Sequence, residues 1–300
     1  MRTIPFDIFS YSRKSGRPLI LDGAIGSLLQ EEGLLLSETL WSSEAALTDP
    51  DILNKVHMDY VSAGADIITA NTFRTNPAAF SLSGSSADNL TLVKKNIQIA
   101  RMASANKPVL VAGSNAPAED CYSPVRTLDK KTLLDNHTGH ISMLIESGAD
   151  FILNETQSHR DEIEMICSYC SLNNIPFIIS LYFTDELRLL SGESVIDTIE
   201  HINNFSPLAI GFNCIKPETF ERFTAKCSFN FNWGFYLNCG SGDVNDPHIT
   251  CGIDATTYLN FIRQYIHLKP SFIGACCGSG PAHIKALYNY FSNSERYGLS

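Results

Sequence analysis

Eight short apolar runs, rich in β-branched and aromatic residues, recur along the chain: Leu19–Leu21, Asp66–Thr69, Val109–Ala112, Phe151–Leu153, Phe177–Leu181, Leu208–Phe212, Trp233–Leu237 and Phe272–Ala275. Such near-continuous hydrophobicity fits strands buried on both faces, as in a parallel sheet. Longer stretches of helical period separate them. One follows Thr48-Asp49-Pro50, which offers an N-cap donor and a proline suited to a first helical turn; Leu53, Val56, Tyr60 and Val61 then share a face, and Gly64 marks the stop. Another sets Ile163, Ile166, Cys167 and Cys170 at the spacing of a helix face laid on a sheet. Ser62-Ala63-Gly64-Ala65-Asp66 and Ser147-Gly148-Ala149-Asp150 repeat one punctuation, a helix-ending glycine that turns into a strand. Eight alternations of strand and helix in 300 residues predict one α/β domain, residues 1–300, folded as a (β/α)8 TIM barrel. A doubly wound open sheet is the rival. Against it, Asp22-Gly23-Ala24-Ile25-Gly26-Ser27 lacks the full G-x-G-x-x-G fingerprint, and no Pro/Gly/Ser linker divides the chain.

Charge and cysteine usage narrow the class. With 22 Lys+Arg against 32 Asp+Glu and a pI near 5.2, the chain is a poor match for a phosphate backbone, so nucleic acid is excluded as a partner and a small or cationic one is expected. Met1 to Arg17 carries no apolar segment of signal-peptide length, and no run approaches the roughly 20 apolar residues of a membrane span. A soluble, cytoplasmic protein with no membrane partner is expected. The nine cysteines are odd in number and the chain is too large to depend on disulfide staples, so the thiols should be reduced.

Barrel enzymes build their sites at the C-terminal ends of strands. The polar residues there are Asp22, Asn71-Thr72, Ser114-Asn115, Glu155-Thr156, Asn213-Cys214, Asn238-Cys239 and Cys276-Cys277. Gly211-Phe212-Asn213-Cys214 closes the sixth run and Gly274-Ala275-Cys276-Cys277-Gly278-Ser279-Gly280 the eighth. Three thiolates converging at one mouth form a zinc site with an open fourth position. Neighbouring residues on a strand point to opposite faces, so Cys276 and Cys277 share a metal only if the backbone leaves β geometry, a freedom that Gly274, Gly278 and Gly280 supply. Core packing of Cys214 with a chance or disulfide-linked Cys276-Cys277 pair is the plainer alternative. Cys239 is a rival ligand; Cys121, Cys167, Cys170, Cys227 and Cys251 read as structural or incidental.

Three thiolates on Zn2+ leave a net charge of −1, which weakens the metal as a Lewis acid and suits it to a soft fourth ligand. A substrate thiol loses its proton on coordination and stays nucleophilic. The expected chemistry is attack by that thiolate on an electrophilic carbon, with an acidic pocket favouring a cationic electrophile such as a sulfonium or quaternary ammonium.

These residues resemble the zinc-dependent homocysteine S-methyltransferase family, which includes S-methylmethionine and betaine enzymes and the homocysteine module of cobalamin-dependent methionine synthase. The resemblance runs from Leu19-Ile20-Leu21-Asp22-Gly23-Ala24-Ile25-Gly26 through Gly64-Ala65-Asp66-Ile67-Ile68-Thr69-Ala70-Asn71-Thr72-Phe73 to the paired cysteines. Gly-x-Asn-Cys with Gly-x-Cys-Cys-Gly is its most specific part. It implies a homocysteine-binding barrel, zinc on Cys214, Cys276 and Cys277, and an ammonium grip by Asp22 and Glu155. Alone, Asp22 reads as a helix N-cap and Glu155 as a solvated strand end. Thr72 and Asn213 are candidates for positioning the substrate or the metal loop, or simply loop caps. Where betaine enzymes have a tyrosine after the fourth-strand glutamate, Thr156 stands here. The chain ends at Ser300, without the long extension of betaine enzymes or folate and cobalamin domains. A small free methyl donor is therefore expected, S-methylmethionine or S-adenosylmethionine first, with homocysteine or a related thiol or selenol as acceptor. Trp41 offers an aromatic face to a methyl-bearing cation, with core packing as its alternative, and Tyr122 is a second such candidate.

Two other readings stand beside this one. One is a non-catalytic zinc- and homocysteine-binding acceptor module of a multi-protein methyl-transfer system. The other uses Cys277 as a covalent nucleophile, which needs a neighbouring base. No histidine directly follows a predicted strand, although His283 falls on the last predicted helix.

Overall fold

In the computed structural model, residues 7–85, 87–241 and 249–296 are described. The first six residues of the Met1–Arg17 stretch lie outside them. All eight predicted strands form: β1 (Leu19–Ile20), β2 (Ile67–Thr69), β3 (Leu110–Asn115), β4 (Phe151–Gln157), β5 (Phe177–Leu181), β6 (Ala209–Asn213), β7 (Trp233–Leu237) and β8 (Phe272–Ala275). Every neighbouring pair from β2 to β8 is parallel, and β8 pairs in parallel with β1. The remaining seam is joined by the parallel bridge Leu21↔Ile67, with Asp22 N donating to Ile67 O at 3.0 Å and Asp66 N to Ile20 O at 2.7 Å. The sheet thus closes on itself as a (β/α)8 TIM barrel. A doubly wound sheet would have two free edges.

The main helices after successive strands are α1 (Pro50–Ala63), α2 (Asn89–Ala103), α3 (Lys130–Glu146), α4 (Arg160–Leu172), α5 (Val195–Asn203), α6 (Pro217–Thr224), α7 (Ala255–Ile262) and α8 (Pro281–Arg296). Period-2 alternation divides the apolar residues between two cores. Leu19, Leu21, Ile67, Phe151, Leu153, Ile178, Tyr236 and Phe272 fill the barrel, and Phe9 stacks on Phe272 at 6.1 Å. Their sequence neighbours Ile20, Ile68, Ile152, Ile179 and Ile273 pack outward under the helices. On α1, Leu53, Val56, Tyr60 and Val61 are buried as the period requires, and Gly64 ends the helix in a left-handed conformation. The expected cap before it is absent: Asp49 makes no side-chain bond, because the chain enters α1 directly from the short helix Ala45–Thr48.

The repeated Gly-Ala-Asp punctuation has a purpose beyond the turn. Asp66 Oδ2 accepts from Ile20 N at 2.8 Å and from Arg17 Nη1 at 2.7 Å, while Asp150 Oδ2 accepts from Val111 N at 2.7 Å and Asp150 Oδ1 pairs with Arg101 at 2.5 Å. Each aspartate thus anchors the start of the neighbouring strand, with a guanidinium compensating its charge. A two-residue antiparallel pair, Gly240–Ser241 with Thr250–Cys251, is an addition that no hydrophobic pattern announced.

His57 on α1 is fully buried, neither imidazole nitrogen has a hydrogen-bond partner among the described residues, and burial lowers its pKa to about 4. The unfolded chain, with an ordinary imidazole near 6.5, binds the extra proton first as pH falls, so stability drops between about pH 6.5 and 4. For His57→Leu we expect this loss to shrink by about 2 kcal/mol at pH 5 and to be unaffected at pH 8. Denaturant melts of both proteins at the two pH values measure it; an equal difference at both would refute the assignment.

A three-thiol candidate metal centre at the barrel mouth

The C-terminal ends of β6 and β8 bring three cysteines together. Cys214, just past β6, holds φ +56, a left-handed conformation rare outside glycine, and its N–H donates to Tyr236 O at 3.2 Å. Cys276 N donates to Leu237 O at 2.9 Å, which fixes the start of the following turn against β7. Of the three glycines expected to release the pair from β geometry, Gly278 takes a positive φ of 75°, and a Cβ there would stand 2.6 Å from Gly240 Cα. Gly274 instead permits close packing on Leu21, where a Cβ would come within 2.8 Å of that residue's own.

The ligand atoms of Cys214, Cys276 and Cys277 all lie within 4.8 Å of one another. The Cys277 sulfur is 4.0 Å from that of Cys214 and 3.9 Å from that of Cys276, while Cys214 and Cys276 are joined in a disulfide, against the expectation that every thiol is reduced: the same proximity that would let the two share a metal lets their sulfurs bond. Tetrahedral zinc with about 2.3 Å Zn–S bonds requires sulfurs about 3.8 Å apart. The two Cys277 spacings fit that requirement, and the Cys214–Cys276 disulfide would have to be reduced for that pair to act as ligands. Burial pushes the Cys277 thiol up to about 11, so a cation is the natural agent for its deprotonation at neutral pH. The donor set is therefore suited to zinc. Cys239 is not in the cluster: its sulfur is buried against Leu237 O at 3.7 Å.

One cavity of about 340 Å3 joins these thiols to the carboxylates of Asp22 and Glu155. Asp22 is not an N-cap; the helix Ile25–Glu31 has Ala24 in the cap position and no side-chain cap. Its carboxylate accepts from Thr69 N at 2.8 Å and from Thr69 Oγ1 at 3.1 Å. Burial raises the Asp22 pKa well above the carboxylate range, the Thr69 backbone bond opposes this, and the Glu155 charge adds to it. Glu155 is half-buried and accepts from Ser114 Oγ at 2.5 Å; burial raises its pKa also. Two like-charged acids with raised pKa values on one wall form a site that gains from a cation.

The remaining candidates divide. Trp41 lines the cavity, half-buried, with its indole against Gly26. Tyr122 also lines it, edge-on to Tyr182 at 5.1 Å. Asn213 borders the cavity, but its amide is engaged: Oδ1 accepts from Thr156 N and Nδ2 donates to Thr156 Oγ1, both at 2.9 Å. It thereby holds Thr156 at φ +57, within the register shift that ends β4 beside Glu155. Thr72, expected at the substrate, is not in the cavity wall. Its hydroxyl accepts from Ser114 N at 3.0 Å and donates to Ser114 O at 2.9 Å, so it clips β2 to β3.

Sequence reasoning missed Thr69, Arg74 and Tyr236 in the wall and set aside Cys121, which also lines it. Thr69 and Tyr236 read as strand residues like any others; nothing in their spacing separates the final inward positions of β2 and β7 from the rest. His159, two residues beyond β4, does follow a strand, because β4 runs past Leu153 to Gln157, but it is outside the cavity wall. His283 is no base for Cys277: its Nδ1 accepts from Gly280 N at 3.1 Å and its Nε2 bonds Ile253 O at 2.7 Å.

A closed barrel thus brings three clustered cysteines and two carboxylates to the wall of one cavity. Residues 19–291 match the homocysteine S-methyltransferase family, and the chain belongs to it. It is 25% identical to a selenocysteine Se-methyltransferase of Brassica oleracea var. italica, over 92% of this chain and 89% of that protein. It is 24% identical to homocysteine S-methyltransferase 2 of Arabidopsis thaliana, over 94% and 96%. The metallated form of the homocysteine methyltransferase MmuM from Escherichia coli superposes with a TM-score of 0.76 at 25% identity, covering 91% of this chain and 96% of that one.

The geometry separates the cysteines experimentally. Cys239→Ala is expected to retain the zinc stoichiometry of the reduced parent, measured by elemental analysis after dialysis. Loss of zinc from a folded Cys239→Ala protein would reinstate it as a ligand.

Proposed function

We propose that residues 1–300 act as one homocysteine-binding unit that transfers a methyl group from a small donor, S-methylmethionine or S-adenosylmethionine, to the sulfur of homocysteine, giving methionine. The observation that carries this reading is the single cavity shared by the Cys214, Cys276 and Cys277 cluster and the Asp22 and Glu155 carboxylates. An amino acid with a thiol at one end and an ammonium at the other matches those two ends chemically. Cys214, Cys276 and Cys277 would hold Zn2+. When bound there, zinc lowers the pKa of a substrate thiol and keeps it as a nucleophilic thiolate.

The chain's own residues supply orientation. Asp22, held by Thr69, and Glu155, held by Ser114, present acceptors to the ammonium group, whose charge restores both acids to their ionised form. Asn213 and Thr72 keep the Glu155 and Ser114 strand ends in place. Trp41 and Tyr122 give a methyl-bearing cation an aromatic wall. In the transfer, the acceptor sulfur's electron pair forms the new S–CH3 bond. The donor's methyl bond breaks, its pair stays on the donor sulfur, and the cationic donor leaves as a neutral thioether. Charge is neutralised along this path, so a partly dry cavity favours it and positioning supplies the rate. The same reading carries a cytoplasmic location, which suits reduced thiols, and no nucleic-acid or membrane partner. Among the described residues no helix is long and apolar enough to cross a membrane.

Zinc analysis of the reduced protein, then incubation with homocysteine and each of S-methylmethionine, S-adenosylmethionine, betaine and methylfolate, tests the proposal through methionine formation. Product is expected with one of the sulfonium donors. Bound zinc with no product from any donor would leave only an acceptor module. Alanine at Cys214, Cys276 or Cys277 should abolish zinc retention and transfer together; a metal-free variant with full activity would sink the mechanism. Asp22→Asn and Glu155→Gln should each raise the KM for homocysteine about ten- to a hundredfold, the loss of one charge-assisted hydrogen bond, with a smaller change in kcat.

A further inference from the structure

Among the described residues, the cavity wall carries four carboxylates, Asp22, Glu38, Asp120 and Glu155, and a single cation, Arg74. Arg74 is half-buried and pairs with no carboxylate among the described residues; its Nη1 donates to the neutral Glu119 carbonyl at 2.9 Å. That bond leaves most of the guanidinium's five N–H donors for a ligand, and their fork geometry matches a carboxylate. In so acidic a wall, a guanidinium with no carboxylate partner among the described residues is suited to receive an anion that arrives with the substrate.

Both reactants in the proposed transfer are amino acids with a carboxylate, so the position of Arg74 decides between them. In an amino acid the ammonium and carboxylate sit on one carbon, and the acceptor's ammonium belongs at Asp22 and Glu155. The Asp22 and Glu155 carboxylates are engaged by Thr69 and Ser114, in β2 and β3, whereas the Arg74 guanidinium is engaged by the Glu119 carbonyl. Arg74 is thus anchored to the stretch formed by residues 119–122, not to the bonds that hold the ammonium grip. There Asp120 Oδ1 accepts from Tyr122 N at 3.0 Å, next to the carbonyl that Arg74 holds. A cation, a carboxylate and an aromatic ring thus flank one turn, which is complementary to a second zwitterion bearing a methylated cation.

We propose that Arg74 binds the α-carboxylate of the methyl donor, which makes the donor an amino-acid sulfonium and not a simple alkyl sulfonium. This rests on the methyl-transfer reading above. The test compares S-methylmethionine with its decarboxylated counterpart, (3-aminopropyl)dimethylsulfonium, in calorimetric binding and in turnover, for the reduced, zinc-loaded wild type and Arg74→Met. The wild type should bind S-methylmethionine about ten- to a hundredfold more tightly than the decarboxylated compound. In Arg74→Met that preference should collapse while the affinity for homocysteine is unchanged. Equal binding of the two sulfoniums by the wild type overturns the proposal whether or not the variant folds, as does failure of the wild type to bind S-methylmethionine. Weakened homocysteine binding in Arg74→Met with donor binding intact overturns it too, by giving the carboxylate to the acceptor. Arg74-dependent binding without turnover would sink the transfer reading and leave the subsite standing; turnover with no Arg74 dependence would sink the subsite alone.

Discussion

Closure of the sheet at β1 is the constraint on which the site depends. Leu19 and Leu21 donate to Ser271 and Ile273 of the last strand segment at 2.9 and 2.7 Å, and Asp22 N donates to Ile67 O on the other side at 3.0 Å. A strand of two residues is thereby held on both edges, and Asp22 emerges between β8 and β2 with its carboxylate on Thr69. Without that closure, residues separated by more than 250 positions, Asp22 and Cys276, would have no reason to border one cavity. Parallel pairing then places every strand's C-terminal end on the same rim, which is why a sequence list of strand ends was already a list of neighbours.

The rim is joined by side chain-to-backbone bonds between successive loops. Thr72 ties β2 to Ser114, Asn213 ties the β6 end to Thr156, and Ser279 Oγ accepts from Ala24 N at 3.1 Å, linking the Cys276-Cys277 turn to the Asp22 loop. Each bond fixes a strand end or loop at or beside the cavity wall. A polar residue at a strand end therefore has two equally ordinary employments, facing the ligand or holding the residue that does. Thr72 and Asn213 spend their polar groups on a neighbouring strand end, while the Asp22 and Glu155 carboxylates border the cavity. Residue type does not separate the two, because a hydroxyl or amide serves either.

This explains how much could be read in advance. The eight strands, the helix faces and the barrel were legible because burial imposes a period, and the period survives in the sequence. The clustering of Cys214, Cys276 and Cys277 was legible because a glycine-bracketed pair at one strand end and a third thiol at another is an unusual pattern. Asp49 failed as a cap because the preceding turn of helix occupied its place, a tertiary fact. Arg74 and Tyr236 were invisible because their importance lies in what does not surround them. Arg74 lacks a carboxylate partner in an acidic wall, and Tyr236 is an inward phenol whose hydroxyl finds no hydrogen-bond geometry among the described residues. Such absences have no sequence signature.

The electrostatics of the wall tie these parts into one argument. Burial alone would make the protein more stable with apolar residues at Asp22 and Glu155, since each is an acid whose charged form the cavity opposes and the two charges oppose each other. The Cys277 thiol is likewise held protonated by its surroundings. Cys214 adds a left-handed backbone at the same rim. Three unfavourable features within one cavity are the pattern expected where stability is given up for binding. Positive charge would relieve the first two: under the proposed function, an ammonium group at the carboxylates and a metal cation at the thiols. Arg74 adds a positive charge to the same wall, anchored to the Glu119 carbonyl. Under the proposed transfer, a wall lined by both signs favours zwitterionic ligands and orients them by charge before any sulfur comes within bonding distance.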